Sequence, residues 1–105
     1  MPKAHPLFLE IAVQLRALAG NPDTTWSFYS HAEEEMVEAR LDYADAYHIV
    51  SSGKITSGDT EGEFAARRFR VEGSTSDGVQ AAFIVSFSNE EQWIEIVTAF
   101  RANER

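Results

Sequence analysis

The chain has 105 residues, 44% hydrophobic and 25% charged, as expected for one compact domain, so we treat residues 1–105 as a single domain. Seventeen acidic residues against nine basic ones give a net charge of −8, which opposes non-specific binding to nucleic acid. No segment is apolar enough for a membrane span or a secretory signal, and the lack of cysteine excludes disulfides and thiolate metal sites, so we expect a cytoplasmic protein without membrane contact.

The first part of the chain predicts a helix followed by a short strand. Apolar residues recur at helical spacing from Leu7 to Leu18, and Gly20 supplies a stop, which predicts a helix over about residues 5–19. The stretch from Thr24 to Tyr29 is rich in β-branched and aromatic residues and alternates in polarity. We therefore expect a short strand there.

Two further helices are expected before Gly53. Ser30 and Glu33 have the S-x-x-E spacing of a capping box, which predicts a helix that begins near His31. Its predicted buried stripe consists of Ala32, Met36, Val37 and Leu41. Asp42 offers an N-cap for the third helix, whose predicted buried residues are Ala46, Ile49 and Val50.

After Gly53 the hydrophobic period changes from helical to two, which predicts strands. We expect a small strand at 54–57 and an antiparallel meander of strands at 64–72, 79–88 and 93–101, the strand at 79–88 being central and covered on both faces. The predicted fold is α+β, with N-terminal helices packed on an antiparallel sheet in the order α-β-α-α-β-β-β. The predicted core consists of Phe69, Phe83, Val85, Ile94, Ile96 and Phe100 packed against Leu15, Met36, Ile49 and Val50.

Arginines are concentrated in the stretch "FAARRFRVEG" at residues 64–73, although the chain is acidic. Period-two alternation places Arg68 and Arg70 on one face of a strand, and Arg101 joins them if its strand presents the same face. Guanidinium groups suit phosphate and carboxylate, so the candidate polyanion-binding residues are Arg67, Arg68, Arg70 and Arg101. The alternative is that these arginines form ion pairs with nearby glutamates on a solvated face.

His31 is the candidate catalytic residue. It lies in the first turn of a predicted helix, where the helix dipole favours a neutral imidazole that can transfer a proton. The alternative is a histidine with a structural role only. His5 and His48 are weaker candidates, and the histidine spacing predicts no metal site. Glycine-rich phosphate loops and serine-nucleophile motifs are absent from the sequence, and we expect no cofactor.

The order of several short motifs resembles a bacterial family of domains of unknown function. The matching residues are Ser30-His31-Ala32, Met36, Glu38, Leu41, Asp45-Ala46, Ile49-Val50, Gly53, Ile55, Phe69, Val71, Gly73, Gly78 and residues 96–100, so the resemblance covers about residues 26–100. That family is similar to the RelE and MqsR toxins, small α+β proteins with a curved antiparallel sheet, several of which cut mRNA without a metal. The resemblance implies a RelE-like domain in which His31 acts as acid or base and Arg68, Arg70 and Arg101 stabilise phosphate charge.

Two functions remain open at this point. The first is a RelE-like protein of the toxin–antitoxin type that binds RNA or another polyanion, with endoribonuclease activity as its enzymatic form. The second is a non-enzymatic acidic protein, similar to an antitoxin, immunity protein or inhibitor, that binds a basic protein partner. The Ser-His-Ala motif favours the first. The net charge favours the second, as do Glu35 and Ala39, which occupy positions where the family pattern has arginines.

Overall fold

The structure is a computed structural model that describes residues 6–102, in which it contains three helices, one 3-10 turn and five strands. The helices are α1 (Pro6–Ala19), α2 (Ser30–Ala39) and α3 (Tyr43–Ser52). The strands are β1 (Thr25–Phe28), β2 (Lys54–Gly58), β3 (Phe69–Ser74), β4 (Gln80–Ser88) and β5 (Trp93–Arg101). The predicted α+β class, with helices packed on a sheet, is confirmed, whereas the RelE-like assignment stays a prediction. His5 lies outside the described residues.

The five strands form one sheet in the order β1-β5-β4-β3-β2. The pairs β2–β3, β3–β4 and β4–β5 are antiparallel, so the predicted meander and the central position of β4 are confirmed. The predicted order of elements lacks β2, although the small strand expected at 54–57 corresponds to it. β1 pairs with β5 in parallel. After β1 the chain crosses the sheet through α2 and α3 to the opposite edge at β2, and it then returns strand by strand to β5.

One face of the sheet carries the helices and the core. Alternate residues of β4 lie in the core with the apolar stripes of the helices, and Phe83, Val85 and Phe87 are fully buried. We call this the helix face and the other the open face. On the open face of β4, Ala82, Ser86 and Ser88 are also buried and Ile84 is half-buried, as expected for a strand covered on both faces.

The helix termini agree with the sequence at α3 and differ from it at α2. Asp42 caps α3, and a reciprocal capping box joins it to Asp45. The capping box predicted at Ser30 is wrong, because Ser30 is already helical and the N-cap is Tyr29, whose side chain makes no capping hydrogen bond. α2 ends at Arg40, whose φ of 59° lies in the left-handed region.

The strand predicted at 64–72 begins later than expected. Residues Phe64–Ala66 form a 3-10 turn, and β3 starts only at Phe69. The Phe64 ring packs against the rings of Phe69 and Phe87, with centroid distances of 5.9 and 5.2 Å. This aromatic packing on the helix face holds the segment out of the sheet, which local alternation does not predict.

Candidate functional site

A bulge in β5 decides which arginines share a face. Ile96 pairs with Val85 and Thr98 pairs with Ile84, so Val97 is an extra residue with no partner in β4. An extra residue reverses the alternation of every side chain after it. Arg101 therefore lies on the helix face, opposite Ala81, and not on the open face with Arg70.

Arg101 is held by the helix that packs over its strand. Its Nε donates a hydrogen bond of 3.0 Å to the carbonyl oxygen of Ala39, in the last turn of α2. A cation at this position complements the negative end of the helix dipole. The geometry required for a shared site, in which Arg68, Arg70 and Arg101 reach one ligand, is therefore not present.

Arg70 lies on the open face and is already engaged by neighbours. Its Nε is 2.5 Å from Glu72 Oε2, which makes the two side chains an ion pair. The contact lacks hydrogen-bond geometry, because the buried Nε–H does not point toward the carboxylate oxygen. The guanidinium carbon lies 4.8 Å from the centroid of the Phe100 ring, in a cation–π contact. Glu72 Oε2 also accepts a hydrogen bond of 2.8 Å from the Thr56 hydroxyl.

Arg67 and Arg68 precede β3 and differ in exposure. Arg67 is half-buried, donates from Nε to the Gly62 carbonyl at 3.1 Å and lies over the Phe64 ring. Arg68 is exposed, and its backbone N–H donates to the Asp59 carboxylate at 3.0 Å. Within residues 6–102 the side chain of Arg68 takes part in no ion pair, unlike that of Arg70.

His31 is an exposed residue of α2 that pairs with a structural carboxylate. Its Nε2 lies 3.1 Å from Glu35 Oε2, and its side chain is 70% exposed. The other oxygen of Glu35 accepts a hydrogen bond of 3.0 Å from the backbone N–H of Ala99. β1 pairs only with residues 93–96 of β5, so Glu35 satisfies a backbone group beyond the end of that pairing. A catalytic role for His31 stays a prediction.

The surface of α2 and α3 contains features that the sequence interpretation missed. Val37 was predicted to be buried, but it is 77% exposed, and Tyr43 and Tyr47 are also exposed. Exposed carboxylates accompany them, so we define the acidic α2–α3 surface as Glu34, Val37, Glu38, Asp42, Tyr43 and Tyr47. The i, i+4 spacing of the two tyrosines is the sequence signal for its aromatic part.

The tyrosines of α3 pack against the aromatic residues of β1. The Tyr43 ring lies 4.7 Å from the Phe28 ring, and the Tyr47 ring lies 4.7 Å from the Trp26 ring, measured between centroids. The Tyr43 hydroxyl donates a hydrogen bond to Glu33 of α2, which raises the pKa of Tyr43; the negative charge of that carboxylate raises it further. Helix α3 is thus tied both to β1 and to α2.

A cleft lies where α1, the 3-10 turn and the β4–β5 connection meet. It has a volume of about 510 Å³, and its polar lining includes Glu63, Glu90 and Glu91. One of these carboxylates, Glu91, already accepts a hydrogen bond of 2.9 Å from Trp93 Nε1. In the described part of the chain no three His, Asp or Glu side chains are grouped as metal ligands would be.

Comparison of the chain with family models, curated proteins and solved structures found no match. The interpretation of function therefore depends on the geometry above. Of the helices in residues 6–102, none combines the length and the apolar character required to span a bilayer.

Proposed function

We propose that this protein is a non-enzymatic interaction protein whose acidic α2–α3 surface binds a basic partner protein. The observation that carries the proposal is the charge of this surface. The segment from Ser30 to Ser52 contains six acidic residues and a single arginine, and three of the six, Glu34, Glu38 and Asp42, are exposed while the other three are half-buried. A concentrated negative surface attracts a basic partner and orients its approach.

The composition of the surface also suits a protein partner. Exposed tyrosines are enriched among the residues that dominate protein–protein binding energy, because they bury a large area at low entropic cost. Tyr43 and Tyr47 are 50% and 43% exposed, and their rings can contact Lys or Arg side chains through cation–π interactions. Two of the candidate arginines, by contrast, are separated by the sheet and engaged by neighbours, since Arg101 lies on the helix face and donates to Ala39, and Arg70 pairs with Glu72 on the open face.

A fluorescent amphipathic peptide of lysine and leucine is a suitable probe for this proposal. We expect the wild type to bind it in 50 mM NaCl and to lose affinity as salt increases. Neutralising two surface carboxylates with Glu34→Gln and Glu38→Gln should weaken binding about tenfold, because each removes attraction of roughly 0.5–1 kcal/mol. The measurement is fluorescence anisotropy.

The matched control is a variant with the same change in net charge elsewhere. Glu61→Gln and Glu90→Gln neutralise two exposed carboxylates outside α2 and α3, and we expect less than a twofold change. Equal weakening by both double variants would show that only net charge matters, and would overturn the proposed location. Absence of binding by the wild type in 50 mM NaCl would overturn the function itself.

Binding of RNA is the second candidate, and the exposure of Arg68 favours it. This guanidinium is the one among the four candidate arginines that combines exposure with the absence of an ion pair in residues 6–102. A 20-nucleotide single-stranded RNA tests it in the same anisotropy assay. Salt-sensitive binding that is lost in the variant with Arg67→Ala and Arg68→Ala would support polyanion binding in place of the protein partner.

A further inference from the structure

A small cleft opens within the acidic α2–α3 surface, where the two helices meet. It has a volume of about 190 Å³ and is lined by Glu33, Met36, Val37, Leu41, Asp42 and Tyr43. Its interior is mostly carbon, contributed by the methionine, valine and leucine side chains and the tyrosine ring. The carboxylates of Glu33 and Asp42 complete the lining. The cleft therefore combines an apolar interior with two negatively charged groups.

The size of the cleft limits what can occupy it. Pockets that enclose cofactors or drug-sized ligands have volumes of about 300–1,000 Å³, so this cleft is too small for such a molecule. It is comparable to the volume of one aliphatic or aromatic side chain. Its scale therefore fits an anchor residue of a partner protein, since such anchors fill well-packed pockets near the centre of an interface.

The two walls of the cleft are joined to one another before any partner binds. The hydrogen bond from the Tyr43 hydroxyl to Glu33 connects α3 with α2. Leu41 also lines the cleft, and its N–H donates to the Met36 carbonyl at 2.8 Å as α2 ends. A preformed cleft favours binding, because fewer side chains must be ordered on association.

We infer that this cleft receives one apolar side chain of a Lys- and Arg-rich segment, an inference that rests on the proposed function. The anchor enters between Val37 and Tyr43, and basic residues that flank it meet the carboxylates around the cleft. Charge complementarity selects a basic segment over an acidic one. The apolar lining selects a basic segment that carries an apolar residue over one that is polar throughout.

Two peptides of equal length and equal lysine content test the inference. One combines lysine with leucine at helical spacing, and the other combines lysine with serine. We expect the wild type to bind the leucine peptide about tenfold more tightly. Val37→Ser should remove most of that advantage by weakening binding of the leucine peptide. Because Val37 is 77% exposed, the substitution should preserve the fold, which the urea midpoint checks.

The chain supplies a matched control in Val13, an exposed valine of α1. Its side chain is 64% exposed, and Val13→Ser should retain the tenfold preference. Equal affinity of the wild type for the two peptides would overturn the anchor cleft and leave the acidic surface intact. Loss of the preference in Val13→Ser, or its retention in Val37→Ser, would place the apolar contact elsewhere. Failure to bind either peptide would overturn the proposed function as well.

Discussion

Truncation of two phenylalanines tests the bulge that separates the faces of the sheet. Phe83 of β4 is fully buried on the helix face, whereas Phe100 of β5 is half-buried on the open face beside Arg70. Without the extra residue Val97, Phe100 would lie on the helix face, as alternation along the sequence predicts. The two substitutions to alanine should therefore have unequal effects on stability.

The magnitudes follow from the burial of each ring. Phe83→Ala should lower the free energy of unfolding by about 3–5 kcal/mol, since it removes buried contacts and leaves a cavity. Phe100→Ala should lower it by about 1–2 kcal/mol, which combines a cation–π contact of roughly 0.5–1 kcal/mol with the loss of partial burial. For an m-value of about 1.5 kcal/mol/M, the urea midpoint should fall by about 2–3 M and about 1 M, respectively.

Equilibrium unfolding in urea, followed by tryptophan fluorescence and circular dichroism, measures both changes. If Phe83→Ala fails to fold, Phe83→Leu and Phe100→Leu give the same comparison with smaller losses. Equal losses at the two positions, or a larger loss at Phe100, would refute the assignment of faces and with it the position of Arg101.

Three other predictions follow from particular contacts. Glu35→Ala should lower stability by about 1–3 kcal/mol in urea titrations, because the Ala99 N–H loses its acceptor. The Tyr43 pKa lies above its ordinary value of 10.0, since the neutral phenol donates to Glu33. The stability that this hydrogen bond contributes to the folded state is therefore present below pH 10 and is lost as the pH rises through the raised pKa. The stability difference between wild type and Tyr43→Phe should therefore shrink at high pH. Gly53→Ala should lower stability by about 1–3 kcal/mol, because a Cβ would lie 2.5 and 2.7 Å from two backbone oxygens.

Each of these predictions has a control in the chain. Glu35→Gln keeps an acceptor oxygen and should recover most of the loss; a loss equal to that of alanine would contradict the hydrogen bond. A pH-independent difference for Tyr43→Phe would contradict the coupling to Glu33. Gly20→Ala adds a Cβ at ordinary contact distances and should change the urea midpoint little, so an equal loss at Gly53 and Gly20 would contradict the steric argument.

The sequence by itself determined the helices and the order of the meander. The apolar residues of α1 and α3 recur every three to four positions, and the alternation in β4 places Phe83, Val85 and Phe87 on one face. The cap at Asp42 was also predictable, because a capping box involves residues only three positions apart. These features arise from contacts between near neighbours in the chain.

The sequence also located the elements that carry the candidate site, but not its surface. The net charge and the glutamates of α2 indicated an acidic face. Val37 has the spacing of a buried stripe, but α2 packs on β5 through Ala32 and Met36, so the valine is left outside. Exposure at the margin of an apolar stripe depends on where the neighbouring elements lie, which periodicity does not specify.

Tertiary structure alone decided on which face of the sheet the arginines lie. The bulge at Val97 leaves no signal in an alternating apolar strand, yet it moves Arg101 to the helix face and Phe100 to the open face. The parallel pairing of β1 with β5 joins segments more than sixty residues apart, and Glu35 reaches Ala99 just beyond its end. Such pairings depend on the order of all the strands in the sheet. The periodicity of one strand indicates which of its faces is buried, but it does not specify which strand lies beside it.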